Sequence, residues 1–277
     1  MTDLVQQCER IARELGATYQ DLHRHPELSG TEQRTAGIAA AALRDAGFEV
    51  MTGIGGHGVV GILRNGPGET VWLRADMDGL PMAEATGLPY ASNEYGVDPS
   101  GERVSIAHAC GHDMHVTCLI GATTVLAATK ADWSGTVVAI FQPAEETLEG
   151  ARGMLDDGLA SRVPTPAVVL GQHVAPLPAG IVFYRPGAIL AAADDFEIVL
   201  HGAGGHASRP ETTVDPVVMA ASLILRLQTI VSRSLAAADA AVVTVGRVQA
   251  GTKDNIIPDF ATLNVTVRTF DPGVRTK

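Results

Sequence analysis

The sequence predicts an α/β chain. A mostly parallel sheet sandwiched by helices is expected over residues 1–186, and a smaller α+β domain over residues 187–277. Three observations carry this expectation. Short runs rich in Val and Ile alternate with helix-length segments up to about residue 185, the pattern of a largely parallel sheet covered on both faces. After Pro186-Gly187 the pattern changes to half-buried strands around one helix. A length of 277 residues is enough for two separate cores.

The elements follow in order. Leu4–Arg24 has the apolar spacing of an amphipathic helix and is ended by Pro26. Thr31–Ala46 reads as a second helix, with Ser29 available as its cap and Gly47 as its stop. Extended runs fit Val59–Leu63, Val71–Ala75, Thr136–Phe141, Ala167–Leu170 and Ile181–Tyr184, each bounded by Gly, Pro or Asn. Met114–Lys130 is almost wholly apolar and predicts a buried helix. In the second domain Ala193–His201 alternates as a strand, and a glycine-rich turn follows. A helix then starts at Asp215-Pro216, where Asp caps and Pro occupies the first turn, and runs to about Leu235. Ala241–Val248 and Thr262–Phe270 complete the domain as strands. The longest apolar helical run, Val217–Leu225, is interrupted by Arg226 and reads as far too short to span a bilayer.

Bulk composition narrows the function. The formal net charge of -11 and the absence of Lys/Arg clusters argue against nucleic acid as a main partner. Three cysteines without paired spacing argue against a disulfide framework and for a reducing compartment. The N-terminus is polar and mixed in charge, without an apolar leader. The expectation is a cytoplasmic enzyme with no membrane or nucleic-acid partner.

The residues able to do chemistry gather at strand ends. Ala107–His115 holds three histidines, a cysteine and an aspartate, in a chain with nine histidines in all. A thiolate and an imidazole suit a borderline-soft divalent ion, although Cys110-Gly-His112 alone equally fits a small buried cysteine. Glu145 and Glu146 follow the run Thr136–Phe141, His173 follows Ala167–Leu170, and Asp76 and Asp78 leave Val71–Ala75. In open α/β sheets ligands collect beyond the carboxyl ends of strands. Adjacent glutamates can divide the work, one on a metal and one accepting a proton from water. Asp76 or Asp78 could orient a ligating imidazole, and Asp113 could cap or orient the helix that follows. Four such coincidences at one sheet edge favour a metal centre. His108 and His115 read as supporting residues rather than ligands. Gly202–His206 lacks dinucleotide-loop spacing and reads as a tight turn from which His206 projects.

Six ordered segments carry a resemblance. They are His25–Ser29, Leu73–Pro81, His108–His115, Phe141–Glu146, Gly202–Pro210 and Asn255–Asp259. Together they resemble the aminoacylase/carboxypeptidase family of dinuclear metallo-amidohydrolases, in the subgroup of hippurate hydrolases, N-acyl-amino-acid amidohydrolases and auxin-conjugate hydrolases. The resemblance implies a catalytic α/β domain with an inserted α+β lid domain that mediates homodimerisation. It implies Cys110, His112, Glu146 and His173 as ligands to two divalent ions, any of Mn²⁺, Zn²⁺, Ni²⁺ or Co²⁺. Glu145 would be the general base for attack of a metal-activated water on the amide of an N-acyl amino acid or small peptide. His206 would help hold the oxyanion, and Asn255 would contact substrate.

The resemblance also implies one more ligating histidine beyond the lid strand, whereas all nine histidines lie at or before His206. The sequence therefore reads as the N-terminal part of a longer amidohydrolase. Two competing readings remain: a truncated, inactive relative acting as a dimerising or binding module, and a metal-free thiol hydrolase with Cys110 as nucleophile and His112 or His108 as base.

Overall fold

Along two strands the side chains alternate between two cores, and this alternation builds the first half of the molecule. In the computed structural model, which describes residues 2–277, the chain forms two compact units, Met1–Leu177 and Pro178–Lys277. The first contains α1 (Thr2–Arg24), α2 (Gln33–Asp45), β1 (Glu49–Ile54), β2 (Gly58–Asn65), β3 (Thr70–Asp76), β4 (Tyr95–Val97), β5 (Arg103–Ser105), α3 (His112–Ala128), β6 (Gly135–Gln142), α4 (Gly150–Asp156), α5 (Leu159–Arg162) and β7 (Val168–Gly171). Its main sheet runs β1-β2-β6-β3-β7. The β6–β3 and β3–β7 pairs are parallel, and β2 is antiparallel to both its neighbours, so β2 alone is reversed.

Val59 and Leu63 of β2, with Val137, Ala139 and Phe141 of β6, point to a core shared with Leu22 of α1, Leu43 of α2 and Val116 and Leu119 of α3. Val60, Ile62, Val138 and Ile140 point the other way, against Met154 and Leu159 of α4 and α5. A period of two on strands buried on both faces explains the near-continuous apolar runs. The expected helices recur as α1, α2 and α3, and the expected strands as β2, β3, β6 and β7. The turn at Gly47 closes α2 as expected, with Gly47 N–H on the Arg44 carbonyl and Phe48 N–H on that of Leu43.

Three expectations are corrected. Ser29 does not cap α2: its hydroxyl donates to Asp78, and the Glu27 carboxylate accepts the N–H groups of Arg34 and Thr35 instead. Ile181–Tyr184 is not a strand; its residues are exposed and pair with no neighbour, so β propensity there has no sheet to join. The helix of the second unit has its expected extent but is not too short to span a bilayer: with a π-helical turn at Ile230–Ser234 it reaches 19 residues, Pro216–Ser234, long and apolar enough to cross a membrane by length and composition. The sequence pattern did not resolve β1, β4, β5, α4 or α5.

The second unit contains β8 (Ala192–His201), β9 (Gly205–His206), α6 (Pro216–Thr229), β10 (Ala241–Ala250), β11 (Ile256–Ile257), β12 (Phe260–Thr269) and α7 (Pro272–Thr276). The sheet β10-β12-β8 is antiparallel throughout. Ala220, Leu223, Ile224 and Leu227 of α6 pack on Val243, Leu263 and Val265, while Val218 and Leu225 face outward. Asp215 caps α6 as expected, accepting from Val217 and Val218 N–H, with Pro216 in the first turn.

Leu43 is fully buried where α2 meets the sheet. Leu43→Ala is expected to lower unfolding free energy by roughly 2–5 kcal/mol with an unchanged urea m-value. A loss below about 1 kcal/mol in urea titration would mean that this interface collapses to refill the space.

Candidate metal centre

Parallel pairing sets the site. β3 and β6 share a register in which Asp76 lies opposite Gln142, and β7 pairs Gly171 with Arg74 on the other side of β3. Three chain segments therefore leave the sheet at one carboxyl edge. They carry Asp76 and Asp78, Glu145 and Glu146, and His173. The start of α3 brings Cys110 and His112 to the same place. The Cys110 sulfur lies 3.3 Å from Nε2 of His173. Nε2 of His112 lies 3.8 Å from both Glu145 and Glu146 and 3.6 Å from Asp76. Two donors that are each about 2.0–2.3 Å from one ion at a tetrahedral angle lie roughly 3.3–3.8 Å apart.

The imidazoles are prepared for this. His112 is fully buried, with Nδ1 held 3.1 Å from Asp78, which leaves the Nε2 lone pair bare. Nδ1 of His173 donates to the Val174 carbonyl at 2.6 Å, leaving its Nε2 turned to Cys110. Nε2 of His112 and Oε1 of Glu146 are buried and have no hydrogen-bond partner. Buried polar atoms are normally satisfied, so two orphans that face each other fit a bound cation. Cys110, His112 and His173, and likewise His112, Glu145 and Glu146, bring ligand atoms within 4.8 Å of one another.

A third cluster, Asp76–His112–His115, meets the same distance test. Its Asp76 and His115 are already satisfied by protein. Nδ1 of His115 meets Asp76 at 2.6 Å, and Nε2 accepts the Val174 N–H at 2.9 Å. The other oxygen of Asp76 accepts from Arg74 at 2.7 Å, and Arg74 also donates to Gln142 at 2.9 Å. His115 thus bridges the end of β3 to the backbone beside His173, a supporting position. His108 is buried with both ring nitrogens lacking a hydrogen-bond partner, and burial pushes its pKa down to about 4. Asp113 lies one residue inside α3 rather than at its cap: it accepts the Met114 N–H and pairs with His23 of α1, whose other nitrogen meets Glu84.

The electrostatics are those of a site built for positive charge. Burial, and then the carboxylates of Glu146 and Glu145, push the Cys110 thiol up to about 12. These neighbours oppose the thiolate that a nucleophilic cysteine requires. Burial and the nearby charges of Asp76 and Glu146 raise Glu145, with His112 opposing them. Asp76 resists burial: the hydrogen bond from His115 and the charges of His112 and Arg74 bring it down to about 2. Asp78 is lowered too, since hydrogen bonds from His112, Ser29 and the Glu146 N–H outweigh burial.

Backbone geometry holds the donors in place. Gly111 has φ 82°, and a Cβ there would lie 2.3 Å from Cγ2 of Val174. Only glycine both takes this conformation and lets the two segments touch. His206 and Asn255 belong to the second unit, where β9 pairs with β11 and the Asn255 carbonyl accepts the Ala207 N–H. Nδ1 of His206 accepts from the backbone and hydroxyl of Ser208.

Residues 72–270 match the model of peptidase family M20/M25/M40. The chain belongs to that family. It is 41% identical to hippurate hydrolase of Campylobacter jejuni over 256 residues, covering 92% of this chain and 64% of that protein. It is 40% identical to N-acetylcysteine deacetylase of Bacillus subtilis over 262 residues, covering 92% of this chain and 65% of that protein. The chain thus spans about two thirds of the length of these relatives. Among solved structures, a dinuclear metal binding peptidase of the M20 family from Bacillus subtilis superposes with a TM-score of 0.76 at 35% identity, over 97% of this chain and 67% of that one. The family shares the α/β architecture found here. Every candidate donor, from Asp76 to His173, falls inside the matched stretch.

Sequence reasoning missed Glu32, His23 and Glu84. The first is instructive: Ser29-x-x-Glu32 has the spacing of a capping box, and neither side chain caps.

Gly111→Ala is expected to weaken Co²⁺ binding by about tenfold or more, by pushing Val174 and with it His173. Calorimetric titration giving parental affinity would detach Gly111 from the site. Asp76, lowered in the fold, contributes stability that is whole above its ordinary value of 3.8 and is lost as pH falls towards about 2. Urea midpoints of metal-free Asp76→Asn should therefore fall less steeply than those of the parent between about pH 4 and about pH 2. Equal slopes would assign the acid sensitivity to other groups.

Proposed function

We propose that this chain provides the larger part of a metal-dependent amidohydrolase that cleaves the amide bond of N-acyl amino acids or small peptide-like amides. The observation that carries the reading is the pair of buried, unpartnered donors, Nε2 of His112 and Oε1 of Glu146, 3.8 Å apart with Glu145 equally close to the imidazole. Two relatives support the substrate class by their names, one a hippurate hydrolase and one an N-acetylcysteine deacetylase.

Cys110, His112, Glu146 and His173 would hold two divalent ions, Mn²⁺, Zn²⁺, Ni²⁺ or Co²⁺. A mixed set of sulfur, nitrogen and oxygen donors does not choose among them. When bound, such ions supply Lewis acidity that polarises a carbonyl and acidifies water. Glu145 does the proton work: its carboxylate takes a proton from the attacking water and returns it to the departing amine nitrogen. The amide and one water thereby become a carboxylic acid and an amine, which near neutral pH settle as a carboxylate and an ammonium group. Burial and neighbouring carboxylates raise Glu145, which makes it a better base than a solvated glutamate. Asp78 and the Val174 carbonyl hold the two imidazoles in the Nδ1–H form that leaves Nε2 free to bind. His206 would donate to the developing oxyanion and Asn255 would contact substrate, in a homodimer joined through the second unit.

Glu145→Gln is expected to lower kcat on N-acetyl and N-benzoyl amino acids by about 10²–10⁴-fold with fold and Co²⁺ uptake kept. A variant as fast as the parent removes Glu145 as the base. Hydrolysis that survives exhaustive chelation removes the metal mechanism altogether.

A further inference from the structure

The segment between α1 and α2 places a carboxyl group where no ligand or capping role explains it. Glu32 is fully buried. Its Oε1 accepts the Gly30 N–H at 2.9 Å and, 112 residues away in sequence, the Ala144 N–H at 2.7 Å. Oε2 has no hydrogen-bond partner, and among the described residues Glu32 forms no salt bridge. A buried carboxyl without a cation is destabilising by itself, so stability does not account for it.

Its partner explains it. Ala144 immediately precedes Glu145 and has φ 48°, a left-handed conformation that is unusual for alanine. Such a residue persists only where its surroundings over-determine it. The Ala144 carbonyl accepts from Gly150 and Glu149 N–H, and the turn closes so tightly that a Cβ on Gly150 would lie 1.6 Å from the Pro143 carbonyl oxygen. Those bonds fix the peptide that follows the Ala144 Cα, and Glu32 fixes the one that precedes it. Two residues on, the Glu146 N–H donates to Asp78 at 2.9 Å, and that same carboxylate oxygen accepts the Ser29 hydroxyl at 2.6 Å. One short stretch, Ser29 to Glu32, thus braces the glutamate turn at both ends.

We propose that Glu32 is a positioning residue: by accepting the Ala144 N–H it holds the turn in the left-handed form that aims Glu145 and Glu146 into the metal centre. The inference rests on reading those two glutamates as base and ligand. It assigns the work to the acceptor oxygen and its reach rather than to a negative charge.

Glu32→Gln and Glu32→Asp separate these properties. Glutamine keeps an acceptor at the same reach, whereas aspartate keeps the charge and draws the oxygen back by one methylene. Three readouts are compared in the purified protein: exchange of the Ala144 amide in metal-free protein by NMR, Co²⁺ affinity from its absorption bands, and kcat and KM on an N-acetyl amino acid. Glu32→Gln is expected to stay within about threefold of the parent in all three. Glu32→Asp should speed Ala144 exchange, weaken Co²⁺ binding about tenfold, and cut kcat about 10–100-fold with KM within about threefold. If Glu32→Asp does not fold, Glu32→Asp/Ala144→Gly is measured against Ala144→Gly, in which glycine takes the positive φ freely; the same readouts should move in the same directions by smaller factors, and a pair that matches in all of them overturns the proposal. A folded aspartate variant with parental amide protection and Co²⁺ affinity overturns the proposal, as does a glutamine variant that loses as much as aspartate. A parent inert towards every N-acyl amino acid would instead defeat the functional reading, and amide exchange and Co²⁺ affinity would still decide the role of Glu32.

Discussion

The site hangs on the Asp78 carboxylate. One of its oxygens meets Nδ1 of His112, and the other accepts the Ser29 hydroxyl and the Glu146 N–H. Three segments distant in sequence, the loop after α1, the start of α3 and the turn after β6, are thereby fixed to the end of β3. A single buried carboxylate can do this because it offers about four lone-pair sites in one plane. Removing it would free the His112 imidazole and one end of the glutamate turn together. The consequences would not add as independent contacts do.

Charge balance gives the same edge its second constraint. Asp76, Asp78, Glu145 and Glu146 crowd around one imidazole, and burial raises the cost of every negative charge there. The protein satisfies part of this itself, through Arg74 and His115 on Asp76. What it leaves open is the face shared by Cys110, His112, Glu146 and His173. A thiol held high by adjacent carboxylates becomes a thiolate only when a cation takes up the charge, so ion uptake by this set must release protons. The pattern of what is satisfied and what is open therefore outlines a cation site more specifically than the residue types do.

The sequence disclosed a good deal of this because the sheet is simple. Apolar runs ending in Asp76, Gln142 and Gly171 could be recognised as strands, and parallel pairing puts their ends together without further information. Cys110 and His112 were legible as candidate donors from their types. What stayed hidden depends on partners far along the chain. Ser29 and Glu32 sit at capping-box spacing, and local rules assign them to α2; only the fold shows that Asp78 and Ala144 claim them. His23 on α1 gives no local sign of its bond to Asp113. Ile181–Tyr184 erred the other way, since strand propensity is realised only where an edge is available. The two-residue strands β9 and β11, which join His206 to the Asn255 segment, are too short for any periodic signal.

β7 is an edge strand, and Val168, Val169 and Leu170 on it are about half exposed. His173 leaves that strand after two residues. The donor's peptide is therefore anchored on one side by the β3 pairing and by the His115 bond to Val174, while the far side of β7 presents unpaired backbone groups. Whatever chain segment or molecule pairs with this edge stiffens the lead into His173. By reciprocity, an ion held through His173 stiffens the edge for pairing. Were an ion held through His173, its binding and pairing at this edge would be linked, each favouring the other.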